Sequence, residues 1–252
     1  MLKKLKKSIF NSILDQDYHS PTTRDLSNKI VVVTGASRGV GKAISKALLN
    51  EGAKLVLISR NIEELKDDFL GVNNVLLINA DLTNETDLDK AIGLILKRFG
   101  KIDVLINNAG INIHKSIENV TKDEFESVIN LNLTAVFMFC KKVIPLMKTQ
   151  KSGLIINIGS KISHNTNVGP NKVTYAASKY ALEGFSLALS KELHSFNIRV
   201  SCLMPATINT FLSKKGKSFM SPYDIASIIV MLMKFDKISF ESVVFSSSKQ
   251  NI

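Results

Sequence analysis

Tryptophan is absent from the 252 residues, cysteine occurs only twice, and aromatic side chains make up 7%. Two cysteines, Cys140 and Cys202, cannot build a disulfide framework. Both lie in apolar stretches, which reads as buried free thiols in a reducing compartment. Few aromatics leave little to stack bases on, which argues against nucleic-acid binding even though acidic residues are scarce: 22 Asp and Glu against 33 Lys and Arg, a formal charge of +11 spread along the chain. Also missing is an uninterrupted apolar run near the ~18 residues that cross a bilayer. Stretches such as Ile228 to Met233 and Ala135 to Cys140 are far shorter. Lys3, Lys4, Lys6 and Lys7 resemble the start of a signal peptide, but Asn11, Ser12, Asp15 and Asp17 interrupt the apolar region that should follow. The expectation is a cytoplasmic protein with no transmembrane segment and no nucleic-acid partner. His114, His164 and His194 show no metal-ligand spacing with Cys or acidic residues, so no metal site is expected.

What is present is ordinary globular composition, with 45% hydrophobic and 22% charged residues. A chain this long buries about 70% of its unfolded surface without staples. Residues 1–28 read as a basic amphipathic extension, with Leu2, Leu5, Ile9 and Ile13 at helical spacing and a break at His19 to Thr23. Its apolar stripe suits packing on the protein itself or on a neighbouring subunit; a membrane surface or acidic partner is the alternative. From residue 29 to 252, short apolar runs alternate with helix-length segments. The runs are Ile30–Val33, Leu55–Ile58, Val75–Ile78, Val104–Ile106, Leu154–Ile158, Val200–Leu203 and Ser242–Phe245, the last after a helix from about Pro222 to Phe235. Strands apolar throughout are covered on both faces. The pattern predicts a single α/β domain: a Rossmann-like, doubly wound, seven-stranded parallel sheet with helices on both faces.

Thr34-Gly35-Ala36-Ser37-Arg38-Gly39-Val40-Gly41 lies between the first strand and its helix. Glycines there let the backbone approach a pyrophosphate, whose charge then faces the unpaired N–H groups of a helix N-terminus. The spacing Gly35, Gly39, Gly41 departs from the commonest dinucleotide fingerprint. Charge selects the dinucleotide. A carboxylate ending the second strand would repel a 2′-phosphate, whereas this strand ends Ile58-Ser59-Arg60, with Arg38 in the loop. Two guanidiniums and a hydroxyl suit a phosphate dianion, so NADP(H) is favoured over NAD(H).

Two further motifs follow in order: Asn107-Asn108-Ala109-Gly110 after the fourth strand, and Tyr175-Ala176-Ala177-Ser178-Lys179 opening a helical pattern. With the glycine loop, they make the chain resemble a classical short-chain dehydrogenase/reductase from about Lys29 to the C-terminus. Tyr175 and Lys179 lie one helical turn apart. A neighbouring ammonium should lower the phenol from its ordinary value of about 10, so that Tyr175 serves as general acid or base at a carbonyl or alcohol oxygen. The resemblance implies Ser160 as the serine that orients substrate, with Ser163 competing because the Ser-to-Tyr interval is slightly long. It implies Asn132 as the asparagine ordering a relay water behind the lysine, with Asn130 as the register alternative.

The resemblance also assigns binding contacts. Asp81 and Leu82 would meet the adenine. Asn107 would steady the sheet and line the cofactor, while Asn108, Ala109 and Gly110 let the chain pass close to the ribose. Pro205, Ile208 and Thr210 would hold the nicotinamide. Ala206 replaces a customary glycine, which puts the shape of that loop in doubt. Ser37 and Val40 complete the loop contacts. Lys214, Lys215 and Lys217 stand where relatives often carry a substrate lid and could steer an anionic substrate; a solvated face is the plainer reading. The implied function is NADP(H)-dependent hydride transfer to or from a small carbonyl or alcohol substrate, such as a 3-oxoacyl thioester or other ketone. A catalytically silent NADP(H)-binding regulator is the alternative. A homodimer or homotetramer is implied through the segments near Phe125 to Lys141 and Ala176 to Leu193.

Overall fold

The computed structural model describes residues 24–164, 168–208, 220–235 and 238–247. The extension up to residue 23, Thr210, and Lys214, Lys215 and Lys217 lie outside them. Seven strands form one parallel sheet: β1 (Ile30–Thr34), β2 (Lys54–Ser59), β3 (Val75–Asn79), β4 (Val104–Asn107), β5 (Gly153–Ile158), β6 (Ile198–Pro205) and β7 (Ser242–Phe245). Their order across the sheet is β3-β2-β1-β4-β5-β6-β7. All seven expected strands are there, within a residue or two of their apolar runs.

The alternation of side chains along buried strands divides the core in two. Val31, Val33, Leu55, Leu57, Ile106 and Ile156 face one side, where they pack with Ile44 and Leu48 of α1 (Gly39–Asn50) and with Ile225 and Ile229 of α7 (Pro222–Lys234). Val32, Val56, Leu105 and Ile155 face the other side. There they meet Leu88 and Ile95 of α3 (Glu85–Phe99), Phe139 and Val143 of α5 (Ala135–Gln150), and Leu182 and Leu189 of α6 (Val173–Leu193). A short α2 (Glu63–Phe69) joins β2 to β3. Each fully buried Val, Leu or Ile contributes about 1.5–3 kcal/mol, which is why such runs specify strands more strongly than any cap or turn. Local signals still set the ends. Asn84 caps α3 by accepting from Asp87 N–H at 3.2 Å, and Gly100 ends it in the left-handed region at φ 75°.

One helical element departs from the sequence reading. A helix runs continuously from Lys122 to Gln150, through α4 (Lys122–Ile129), a wider π-type turn at Asn130–Thr134 and α5. Its 29 residues include an 18-residue window of mean hydropathy 1.4, long and apolar enough to cross a membrane by length and composition. Isolated lysines and asparagines broke this stretch into short runs when read linearly. In the fold its apolar side covers the sheet through Val136, Phe139, Cys140, Val143 and Met147.

The chain winds outward from β1 to β3 and then returns to lay β4 beside β1. The order of the sheet therefore reverses between β1 and β4, and the loops that leave those two strands adjoin at their C-terminal ends. Open α/β sheets bind ligands at such a point.

Candidate active site

The loops after β1 and β4 are tied directly together. Asn108 N–H donates to Thr34 Oγ1 at 3.0 Å and Ala109 N–H to the same oxygen at 3.1 Å. The Asn108 amide donates to the carbonyls of Thr34 at 2.9 Å and Gly35 at 3.1 Å. Gly35 and Gly39 hold φ of 62° and 56°, the region that glycine alone enters freely. Gly41 answers a different need, since a Cβ there would lie 2.3 Å from the Gly35 carbonyl oxygen. It packs beneath the loop and does not line the cleft above. At Arg38 the chain is extended and enters α1 with no side-chain cap and no acidic residue in the first turn.

A cleft of about 1180 Å³ runs across the C-terminal edge of the sheet. That exceeds the ~300–1,000 Å³ of an ordinary small-molecule pocket and leaves room for a long ligand beside a second one. One end is walled by Ser37, Arg38, Gly39, Val40, Ser59, Arg60, Asp81 and Leu82, the middle by Asn108, Ala109 and Gly110, and the other end by Ser160, Tyr175, Lys179, Pro205 and Ile208. Most of the residues singled out from sequence thus line one cavity although they come from six strand ends; Gly41 and Asn132 do not line it, and Thr210 lies outside the described residues. Asp81 accepts from Thr83 N–H at 2.9 Å and Thr83 Oγ1 at 2.7 Å; those bonds, then the charge of Arg60, hold its carboxyl below the usual range.

At the far end Tyr175 and Lys179 stand one turn apart on α6, with the Lys179 ammonium 5.6 Å from the centre of the phenol ring. The Ser160 hydroxyl, at the end of β5, hydrogen-bonds the phenol oxygen. Ser163 is turned elsewhere: buried, it donates to the Ser160 carbonyl at 3.0 Å and touches Met204 Sδ at 3.2 Å. Lys179 is 5% exposed and donates to the Ile158 carbonyl at 2.7 Å. Burial lowers its pKa from 10.5 to about 8. The phenol differs from the sequence expectation. Its pKa is raised, because burial outweighs the one opposing influence, the hydrogen bond from Ser160. The ammonium is itself spent on a carbonyl, so among the chain's own groups desolvation wins.

Asn132 sits in the π-type turn, 1% exposed, whereas Asn130 lies on the exposed side. Its Oδ1 accepts from Ile111 N–H at 2.9 Å, and its Nδ2 donates to the Ile111 carbonyl at 2.9 Å and to Ser178 Oγ at 3.0 Å. A Cβ on Gly110 would lie 3.1 Å from Asn132 Oδ1 and 3.8 Å from Lys179 Nζ, so these three residues converge behind the tyrosine. Asn107 lies under the cleft, donating to Asn157 Oδ1 at 2.8 Å across β4 and β5. Among the described residues no His, Cys, Asp and Glu cluster could hold a metal.

Sequence reasoning gave the segments Ile111 to Ile117 and Ser160 to Val173 as pocket walls, but not which of their residues face the cleft, and it gave Thr34 no role of its own. Thr34 organises both loops through its hydroxyl, and the visible signal was a polar residue ending an otherwise apolar strand. Lys161, Lys172, Asn112 and His114 also line the cleft. Their loops carry no periodicity that would locate them. The Asn112 side-chain carbonyl oxygen is buried with no hydrogen-bond partner.

Comparison with known proteins bears on this geometry. Residues 29–220 match the family model for short chain dehydrogenase. The chain is 30% identical over 234 residues to carbonyl reductase family member 4 of Xenopus laevis, covering 88% of this chain and 98% of that protein. It is 36% identical over 189 residues to a 3-oxoacyl-(acyl-carrier-protein) reductase of Salmonella typhimurium, covering 74% and 76%. An alcohol dehydrogenase of Thermococcus sibiricus complexed with 5-hydroxy-NADP superposes with a TM-score of 0.81 at 27% identity, over 90% of this chain and 99% of that one. A 3-ketoacyl-(acyl-carrier-protein) reductase of Brucella melitensis complexed with NADH gives 0.80 at 28%, over 87% and 98%. By the family model and these relatives, this chain belongs to the short-chain dehydrogenase family of oxidoreductases.

Proposed function

We propose that the protein is an NADP(H)-dependent oxidoreductase that reduces a carbonyl compound, a ketone or 3-oxoacyl thioester, with Tyr175 as general acid. The observation that carries this reading is the hydroxyl pair of Ser160 and Tyr175 at one end of a cleft whose other end is a glycine loop and an open helix N-terminus. The bound dinucleotide supplies the hydride. Ser160 orients the carbonyl oxygen by a hydrogen bond, which needs position and no charge. As hydride adds to the carbonyl carbon, the oxygen takes the Tyr175 proton, giving an alcohol and a phenolate. The nearby Lys179 ammonium stabilises that phenolate. The raised phenol pKa keeps Tyr175 protonated at neutral pH, which suits reduction. Asn132 and the Ile111 backbone hold a relay water behind Lys179 that returns the proton.

Arg38, Ser59 and Arg60 favour the 2′-phosphate of NADP(H). Asp81 is engaged by Thr83 and lies beside Arg60, so it counters that preference little. Arg60→Asp should weaken NADPH binding at least tenfold relative to NADH; an unchanged ratio would remove the argument. In this reading the protein is cytoplasmic, with both thiols free and buried, and it assembles as a homodimer or homotetramer. The direct test is NADPH oxidation with a panel of ketones, aldehydes and 3-oxoacyl thioesters. Turnover of at least one class is expected, whereas tight NADPH binding without turnover across the panel would favour a silent regulator.

A further inference from the structure

The two ends of the cleft differ in charge. Glu64 and Asp81 stand at the end that holds Arg38 and Arg60, but no carboxylate lines the wall around Ser160 and Tyr175. That wall carries Lys161, Lys172 and His114 instead. Lys161 follows Ser160 directly. Lys172 precedes Tyr175 by three residues, at the non-helical position just before α6. The Lys161 ammonium donates to Ser246 Oγ at 2.8 Å, a neutral partner, and makes no ion pair among the described residues. Lys172 makes no ion pair among the described residues, in contrast to the surface lysines Lys115, Lys142 and Lys191, which pair with Glu124, Asp89 and Glu241. The acidic group nearest in sequence on α6, Glu183, is taken by His164 at 3.2 Å and by Ser242 at 3.3 Å and does not line the cleft.

The local backbone explains how Lys172 comes to face the cleft. Asn171 adopts φ 62°, a left-handed conformation that asparagine tolerates, and turns the chain into α6. A Cβ on Gly169, itself a wall residue, would lie 3.8 Å from Lys172 Nζ, so the ammonium folds back along the cleft. No acidic residue occupies the first turn of α6 to offset it. Among the described residues, two ammonium groups without an ion-pair partner therefore flank the hydroxyl pair that engages the carbonyl oxygen. In a partly desolvated cleft such groups favour an anion and disfavour a neutral ligand of the same shape.

Building on the proposed carbonyl reduction, we infer that the substrate is a small oxo compound bearing an anionic group, a carboxylate or phosphate, a few bonds from its carbonyl, and that Lys172 with Lys161 binds that group. Lysine, a compact point charge without a guanidinium fork, serves either anion. The experiment compares kcat/KM with NADPH for matched pairs: acetoacetate against methyl acetoacetate, 2-oxobutanoate against its methyl ester, and dihydroxyacetone phosphate against dihydroxyacetone. In at least one pair the anionic member should be favoured tenfold or more. That ratio should fall at least tenfold in Lys172→Met, recover in part in Lys172→Arg, and shrink as salt is raised, with NADPH affinity measured in parallel. The first two pairs identify a carboxylate and the third a phosphate. Neutral members favoured or equal in every pair, or a ratio unmoved by Lys172→Met, overturns the inference and leaves carbonyl reduction standing. No turnover of any member while a neutral ketone, aldehyde or 3-oxoacyl thioester is turned over also overturns the inference; no turnover across these pairs and that wider panel, despite tight NADPH binding, fails both.

Discussion

Burial governs the titration of the two groups at the reacting end, and it moves them in opposite directions. It raises the Tyr175 phenol and lowers Lys179 to about 8. The lysine has a consequence for stability. Between pH 8 and about 10.5 the unfolded chain keeps the Lys179 proton and the folded chain releases it, so stability rises with pH across that window. Wild type should therefore gain on Lys179→Met between pH 8 and 10, read from denaturant midpoints of the ligand-free protein; parallel curves would contradict the shift. A second prediction concerns Gly41. An alanine Cβ there must displace the Gly35 carbonyl, which is backbone and cannot swing aside. Gly41→Ala should cost about 1–3 kcal/mol and weaken NADPH binding at least tenfold, by titration of cofactor fluorescence. Motif residues were legible singly because their chemistry is local. The phenol's pKa was not, since the sequence shows an ammonium four residues away but not the carbonyl of Ile158 that occupies it, nor the depth of burial.

At the scale of elements, the π-type turn at Asn130–Thr134 decides which asparagine is turned inward. One wider turn inside a long helix re-aims the side chains that follow, a device found often at functional positions. It buries Asn132 against Ile111 and leaves Asn130 exposed. Asn132→Ala would strand the N–H and carbonyl of Ile111, at a cost of about 1–3 kcal/mol. Calorimetric unfolding should register that loss, and kcat should fall more than NADPH affinity does; an unchanged melting profile would contradict the anchoring role. From the sequence Asn132 was singled out by resemblance alone, with Asn130 as the register alternative, because periodicity does not reveal an inserted residue. The strands posed no such ambiguity. Apolar runs buried on both faces have one stable placement, whereas the loop sequences between Ser160 and Val173 could not be placed from their pattern.

At the scale of the molecule, the reversal of strand order between β1 and β4 opens a cleft whose walls come from groups up to 173 residues apart, from Gly35 to Ile208. Every residue of the proposed mechanism sits at the C-terminal end of the sheet. Phe125 and Phe137 on the long helix and Tyr180 on α6 are exposed on one flank, where Phe137 meets Phe185 edge-on at 6.4 Å. An isologous contact through that flank is the expected assembly. Sedimentation should show a dimer or tetramer that Phe137→Glu dissociates; a monomeric wild type would contradict it. The account as a whole turns on proton donation by one phenol. The most direct measurement is the single-turnover rate of NADPH oxidation, on any carbonyl substrate the wild type accepts, in wild type and Tyr175→Phe, with cofactor affinity determined for both. Loss of at least a hundredfold in rate with NADPH affinity retained is the predicted result; a rate within threefold of wild type would contradict it.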